Sequence, residues 1–277
     1  MITCILMGGL GNQLFQIFTL IAHSINTNQK FILPEKLPVY DKRHTYWNSL
    51  LINLQKYISN TDSVKWNQYN EPNFHYNKLQ LSDNNLILHG YFQSYKYFDN
   101  VWEQISIIVG FNEQIEQTKT KYNNYFNDDY IISMHFRVGD YLSIQDHYYI
   151  LDYNYYEKSI ELIINKTNIN NFTILYFCEE NDVQTVNLII SNLQNKFLEL
   201  KFIKIDFTIS DWEQMLLMSL CNHNIIANST FSWWGTYIGY KLNENKIVCY
   251  PSKWFGPKFS HYNVSDLFLD KWNKILL

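Results

Sequence analysis

The chain has almost no arginine: of its 22 basic residues, 20 are lysine and two are arginine. Long apolar runs are missing as well. The opening stretch Met1–Met7 stops at Gly8-Gly9, far short of the roughly 20 residues that cross a bilayer, and it lacks the charged start of a signal peptide. No later segment reaches spanning length, so the expectation is a soluble, cytoplasmic protein without a membrane span. Positive charge is not in excess. A net charge of −4 argues against bulk nucleic-acid binding, which needs a basic face. Cys4, Cys178, Cys221 and Cys249 are scattered through apolar stretches, with no CxxC or Cys/His spacing. They read as buried free thiols of a reducing compartment rather than metal ligands. A DxD pair in a metal-binding loop is also lacking: Asp128-Asp129 precedes a strand and Glu179-Glu180 follows one.

What is present favours an α/β fold. With 277 residues, 47% of them hydrophobic, the chain suits one large α/β unit or two ordinary domains. Aromatic residues make up 17%, which suits both a packed core and flat ligands such as sugars or bases. Short β-branched runs alternate with helical patterns. The first unit reads as a strand near 2–7, the loop Gly8–Gly11 and a helix from Asn12. Strands are expected at Phe31–Leu33 and Leu86–His89, whereas 35–85 has poor periodicity. After a helix and connector over Glu113–Asn127, a new series begins. It predicts strands at Tyr130–His135, Phe172–Phe177, Lys201–Ile205, Asn224–Ala227 and Lys246–Tyr250. Helices are expected at Tyr153–Asn165, Val183–Lys196, Trp212–Cys221, Phe231–Leu242 and from Val264 onward. The domain boundary falls near 125, giving 1–125 and 126–277.

Three places share one design, in which a strand ends and small or hydroxyl residues turn the chain into a helix. Ligands of parallel α/β sheets bind outside the carboxyl ends of strands. The strand at Tyr130–His135 delivers His135-Phe136-Arg137-Val138-Gly139-Asp140 to such an edge. An arginine kept in a lysine-rich chain points to a planar fork gripping two oxygens of a phosphate or carboxylate; a structural ion pair is the alternative. The strand at Asn224–Ala227 delivers Asn228-Ser229-Thr230 and opens a helix at Phe231. Plain N-capping explains those hydroxyls in isolation; opposite an arginine, anion binding at a helix start explains them better. Gly8-Gly9-Leu10-Gly11-Asn12-Gln13 is the third place, a backbone that passes close to something or a tight capped turn. It fails as a dinucleotide fingerprint because Leu14 stands where GxGxxG needs glycine, which disfavours an NAD-dependent oxidoreductase. Asp140 is a candidate base or a turn-former, and His147 is a base or a packing residue. Of Trp233-Trp234, one could face a ligand cleft, although core packing is the plainer reading.

Together these stretches resemble the α-1,2-fucosyltransferases that use GDP-fucose, over almost the whole chain. His135–Tyr141 (HFRVGDY) is similar to that family's HxRRGD(Y) motif, and Asn228–Trp234 (NSTFSWW) to its NSTFSWW block. Gly8–Phe15 (GGLGNQLF) and Gly90–Phe98 (GYFQSYKYF) resemble two further family stretches. The resemblance implies a GT-B fold of two Rossmann-like domains with parallel sheets facing a central cleft. It implies inverting transfer of L-fucose to a glycan hydroxyl, O-2 of a galactose-like residue, with no metal and no cofactor. The implied partners are a GDP-sugar donor and an oligosaccharide or glycoconjugate acceptor. By resemblance Arg137 holds the donor diphosphate and Ser229, Thr230 and Phe231 line the nucleotide site with Asn228. His135 lies beside the nucleotide, while Gly9, Gly11 and Asn12 complete the site from the N-terminal domain.

The chain departs from that pattern in three places. Val138 replaces a second arginine, and Phe177-Cys178-Glu179-Glu180 replaces an FSDD-like segment. Gln214 stands where an aspartate is usual, which leaves Glu213 or Asp211 to read guanine's N–H edge. Two alternatives remain: a transferase for another GDP-deoxysugar, and a catalytically silent sugar-nucleotide or glycan-binding protein.

Overall fold

The computed structural model describes residues 1–39, 41–60, 64–79, 85–128 and 130–277. Asp129 of the Asp128-Asp129 pair, and 80–84 within the segment of poor periodicity, therefore lie outside the described residues. The chain forms two compact units. The first comprises Met1–Gln114 with Tyr262–Asp270, the second Ile115–His261 with Lys271–Leu277. The division falls at Gln114/Ile115 where the sequence suggested about 125, and a short C-terminal segment joins the first unit, which no linear boundary contains.

In the first unit, β1 (Ile2–Cys4) leads through Gly8-Gly9 into α1 (Leu10–Thr27). Next come β2 (Asn67–Asn70), β3 (Leu86–His89), α2 (Trp102–Val109) and α3 (Phe111–Lys121), which crosses the division. The strands form one parallel sheet in the order β1-β3-β2. Helix α1 is buried on nearly every face from Leu10 to Ser24, so Gln13, Gln16 and Thr19 go inside with its apolar residues. Its interior partners are aromatic. Phe18 meets Phe98, Trp102 and Phe111 with ring centroids 5.9–6.2 Å apart, each near edge-to-face. In this unit the aromatic surplus therefore serves the core.

The second unit is a six-stranded parallel sheet. Its elements are β4 (Ile131–His135), α4 (Tyr153–Thr167), β5 (Thr173–Phe177), α5 (Val183–Lys196), β6 (Lys201–Lys204) and α6 (Asp211–Leu220). They continue with β7 (His223–Ile225), α7 (Thr230–Leu242), β8 (Val248–Pro251) and β9 (Asn273–Ile275). Every residue of β4 and β5 is buried, as strands covered by helices on both faces require. Alternation divides them: Ile132, Met134, Ile174 and Tyr176 pack with α4 and α5, whereas Ile131, Leu175 and Phe177 pack with Leu217 and Met218 of α6. The strand order is β6-β5-β4-β7-β8-β9. The chain thus winds outward from β4 in one direction, then returns to start again at β7. The reversal between β4 and β7 is the topological switch at which doubly wound sheets bind ligands.

Two expected elements differ. The helix from Val264 is a 3-10 turn over Ser265–Leu267 followed by β9, whose Asn273 side chain donates to Val248 O at 3.0 Å. Tertiary anchoring overrides the helical spacing of Val264, Leu267 and Phe268, because the Asp266 side chain is held by Lys96 and by the Tyr76 amide. The strand at Phe31–Leu33 is reduced to isolated bridges, Ile2 with Phe31 and Leu33 with Ile58.

Candidate active site

Within the second unit, the switch point gathers the residues singled out after β4 and β7. The β4 loop is pinned from the β5 loop. Asp182 is buried, and its carboxylate accepts the Gly139 amide at 2.8 Å and the Val138 amide at 3.3 Å. Gly139 has φ +21°, and a Cβ there would lie 2.9 Å from Glu179 Oε2, so a side chain meets both strain and a close neighbour. Arg137, the residue that this turn presents, spreads its guanidinium over Tyr141 at 5.3 Å. Nη2 donates to Asp140 Oδ1 at 2.7 Å, and Nη1 donates to Glu179. Burial opposes the charge, but Glu179, Tyr141 and Asp140 outweigh it and push the guanidinium pKa up. The ion-pair alternative is thus realised: both ends of the fork hold carboxylates, each about half exposed at 50% and 51%. Exposed pairs of this kind contribute only ~0–1 kcal/mol each. A diphosphate presenting two oxygens at once can displace them.

His135 is buried behind the fork. Burial first, then the Arg137 charge, pulls its pKa down to about 3, so the ring is neutral at physiological pH. Its Nδ1 is buried without a partner, and its ring lies 5.5 Å from that of Phe231 on α7. At the start of α7, Ser229 is the N-cap, its hydroxyl accepting the Phe231 amide at 3.3 Å; Thr230 is the first helical residue. Asn228 braces the edge. Its Nδ2 donates to Tyr149 O at 2.8 Å and Trp254 O at 3.0 Å, and its carbonyl accepts from Tyr141 OH at 3.1 Å. Arg137, Asp140, Tyr141, His135, Phe231 and Asn228 therefore form one connected cluster.

Among the described residues, Glu213 bonds to Ser210 and Lys121 rather than to this cluster. It is the third residue of α6; the Ser210 hydroxyl donates to its Oε2 at 2.5 Å, a side-chain bond that leaves the helix start without a side-chain cap, while Lys121 donates to Oε1 at 2.6 Å. Burial would raise its pKa, but Lys121, Ser210 and Tyr122 outweigh that and hold it below the usual carboxylate range. Trp233 and Trp234 are both fully buried, as core packing requires; Trp233 stacks on Tyr237 at 4.8 Å. His147 turns its ring edge toward Phe259 at 4.9 Å, and its Nδ1 is buried.

The first unit has its own edge at the carboxyl ends of β1 and β3. Gly9 is the N-cap of α1, with no side-chain cap and no acidic residue in the first turn. Gln13 Nε2 ties Gly8 O at 2.9 Å to His44 O at 2.8 Å, and Asp41 accepts the Gly8 amide at 2.5 Å. Gln93 Nε2 donates to Asn12 Oδ1 at 3.0 Å. Gly9 and Asn12 thus sit where the sequence placed them, at a helix start on a strand edge, with Gly11 as the second residue of the helix. The second arginine of the chain, Arg43, brings Nη1 within 3.5 Å of the position a Cβ on Gly9 would take.

The profile of glycosyl transferase family 11 matches residues 1–276. The chain belongs to glycosyl transferase family 11. Within the wider circle of that family, the chain is 28% identical over 321 residues to the O-antigen biosynthesis glycosyltransferase WbnK of Escherichia coli, covering 96% of this chain and 98% of that protein. It is also 30% identical over 148 residues to an alpha-1,2-colitosyltransferase of Escherichia coli, across 52% of this chain and 47% of that one. Its fold is similar to that of a glycosyl transferase family 9 structure from Veillonella parvula, with a TM-score of 0.52 at 14% identity, covering 100% of this chain and 86% of that one. This family 11 chain accordingly has the α/β GT-B architecture, with two parallel sheets.

Sequence reading missed Asp182, Glu179 and Arg43 as site residues. The acidic run after β5 was visible, but which amides and which fork it serves depends on β4 and β5 being neighbours. Among the described residues, no three His, Cys, Asp or Glu side chains converge as metal ligands.

Proposed function

We propose that this family 11 chain transfers L-fucose from GDP-fucose to a glycan hydroxyl, O-2 of a galactose-like residue, with inversion and without a divalent cation. The observation that carries this reading is the pairing of Arg137 after β4 with the N-terminus of α7 after β7 at the switch point. Charge develops on the departing diphosphate in an oxocarbenium-like transition state. A two-pronged cation and helix-terminal amides, fixed beforehand, stabilise that charge. Asp140 and Glu179 hold the fork open in one plane, and the diphosphate oxygens take their places. His135, kept neutral, adds no positive charge and leaves Arg137 as the side-chain cation of the cluster. Asp140 stands closest in chain to the fork and is the candidate base for the acceptor hydroxyl. Gly9, Gly11 and Asn12 are assigned to the sugar side of the donor.

Similarity to the colitosyltransferase supports a second reading, in which the donor is another GDP-deoxysugar. Colitose is fucose without its 3-hydroxyl, so the two donors differ in one hydrogen-bonding group. GDP release with galactosides in EDTA separates the possibilities. Turnover with GDP-fucose supports the first reading, and preference for the 3-deoxy donor supports the second. A strict metal requirement contradicts the mechanism, and GDP binding without turnover on either donor contradicts both readings.

A further inference from the structure

Glu71 follows β2 directly and is held in the sheet, its amide donating to His89 O at 2.8 Å. Its side chain reaches across the carboxyl edge to the loop after β3. There Oε2 accepts two successive amides, Tyr91 at 2.8 Å and Phe92 at 2.9 Å. The loop is shaped for this contact. A Cβ on Gly90 would fall 2.3 Å from that of Glu71, and Phe92 adopts φ 51° although it is not glycine. Two consecutive amides turned to one oxygen form a small anion cradle. The residue that leaves the cradle is Gln93, whose Nε2 donates to Asn12, and Asn12 in turn packs on Gly8.

We propose that Glu71 is a positioning residue of the reaction: its carboxylate sets the 90–93 loop and, through Gln93, sets Asn12 on the glycine-rich loop. The proposal rests on the functional reading above only in assigning Asn12 to the donor. The geometry of an anchor for two amides needs only one acceptor oxygen, which a neutral glutamine also has; what a carboxylate adds is charge in those bonds. Here the second oxygen, Oε1, is buried without a partner. Burial pushes the carboxyl pKa up to about 7, against the pull of the Phe92 and Tyr91 amides. The titratable groups facing it are Tyr69 from β2 and Tyr97 from the turn after β3; burial pushes both phenols up, so neither is charged near neutrality. The His89 ring is bonded to Asn70 and Gln68 instead. No cation among the described residues pairs with Glu71. A carboxylate kept uncompensated beside a functional edge costs stability, a pattern found where charge serves function. Ionised, it grips both amides through charge-assisted bonds; protonated, it accepts them weakly and the Gln93–Asn12 link loosens.

The test uses the full chain as wild type and Glu71→Gln, an isosteric variant that keeps an acceptor oxygen. In nitrogen-edited NMR between about pH 5.5 and 8.5, the Tyr91 and Phe92 amides and the Gln93 side-chain amide of the wild type should move together with a midpoint near 7, and those of Glu71→Gln should stay flat. Wild-type signals that do not titrate, or that titrate equally in Glu71→Gln, overturn the proposal whatever the enzyme does. In the transfer assay, wild-type kcat should fall about 10-fold from the plateau to one pH unit below the midpoint, with donor KM little changed. Glu71→Gln should run near the acid-side rate throughout, and Glu71→Asp should retain a pH limb. A Glu71→Gln profile with the wild-type limb intact overturns positioning. Absence of transfer at every pH overturns the functional reading, and the NMR result still decides for or against the Glu71 link.

Discussion

Glu179 and Asp140 occupy the two ends of the Arg137 fork, so any anion that binds there competes with them. Each exposed pair is worth at most ~1 kcal/mol, and removing one lowers that competition. Glu179→Gln should therefore tighten GDP binding by about 2- to 5-fold in calorimetry. Weaker binding would mean that Glu179 contacts the nucleotide itself. Arg137→Lys keeps the charge but loses the fork. It should lower kcat/KM for transfer by roughly 100- to 1000-fold, the usual cost of removing one preorganised donor to a developing anion. A near-normal rate would show that a point charge suffices.

At the scale of elements, the site is made by two strand-to-helix turns, and their failure should be local. Gly139→Ala places a Cβ against Glu179 at a left-handed position, which should cost about 1–2 kcal/mol by denaturant unfolding and weaken GDP binding with it. No loss of binding would detach the turn from the site. These turns were legible in the sequence because their cues are local: a strand, a glycine or hydroxyl, a helix. Helix α5 and strand β3 were read to the residue for the same reason. Strand β2 was not, since Asn67–Asn70 is polar and mostly exposed and carries no alternating pattern. Asp182 and Glu71 were invisible as anchors because their partners lie 43 and about 20 residues away in sequence, and strand order decides who meets whom. Arg43 escaped notice because only the folded chain brings it to Gly9.

For the whole molecule, the two units carry opposed pH sensitivities. In the second unit, burial depresses His135 to about 3 and His223 to about 4. The unfolded chain protonates both near 6.5, so their stabilising effect is present above that pH and is lost as pH falls toward 4. A tenfold difference in proton affinity between folded and unfolded chain corresponds to about 1.4 kcal/mol, so the loss amounts to roughly several kcal/mol. In the first unit, Glu71 acts the other way: its raised pKa favours the fold below about 4.5 and loses that contribution as pH rises to 7, while His23, depressed by burial, partly offsets it. Thermal unfolding followed by the tryptophans of the second unit should therefore weaken steeply between about pH 6.5 and 4, and His223→Gln should flatten that slope. A second unit indifferent to pH over that range would contradict these burial costs. In the sequence, the net charge of −4 spoke only against a nucleic-acid face, and the scarcity of arginine singled out Arg137 as a fork for two oxygens or a structural ion pair.

In the proposed function, Arg137 exchanges its carboxylates for a diphosphate. Calorimetric GDP binding in EDTA, on wild type, Arg137→Lys and Glu179→Gln in parallel, tests it most directly. Binding should be weakened at least about 10-fold by Arg137→Lys and strengthened by Glu179→Gln. Equal affinity in all three proteins would contradict it.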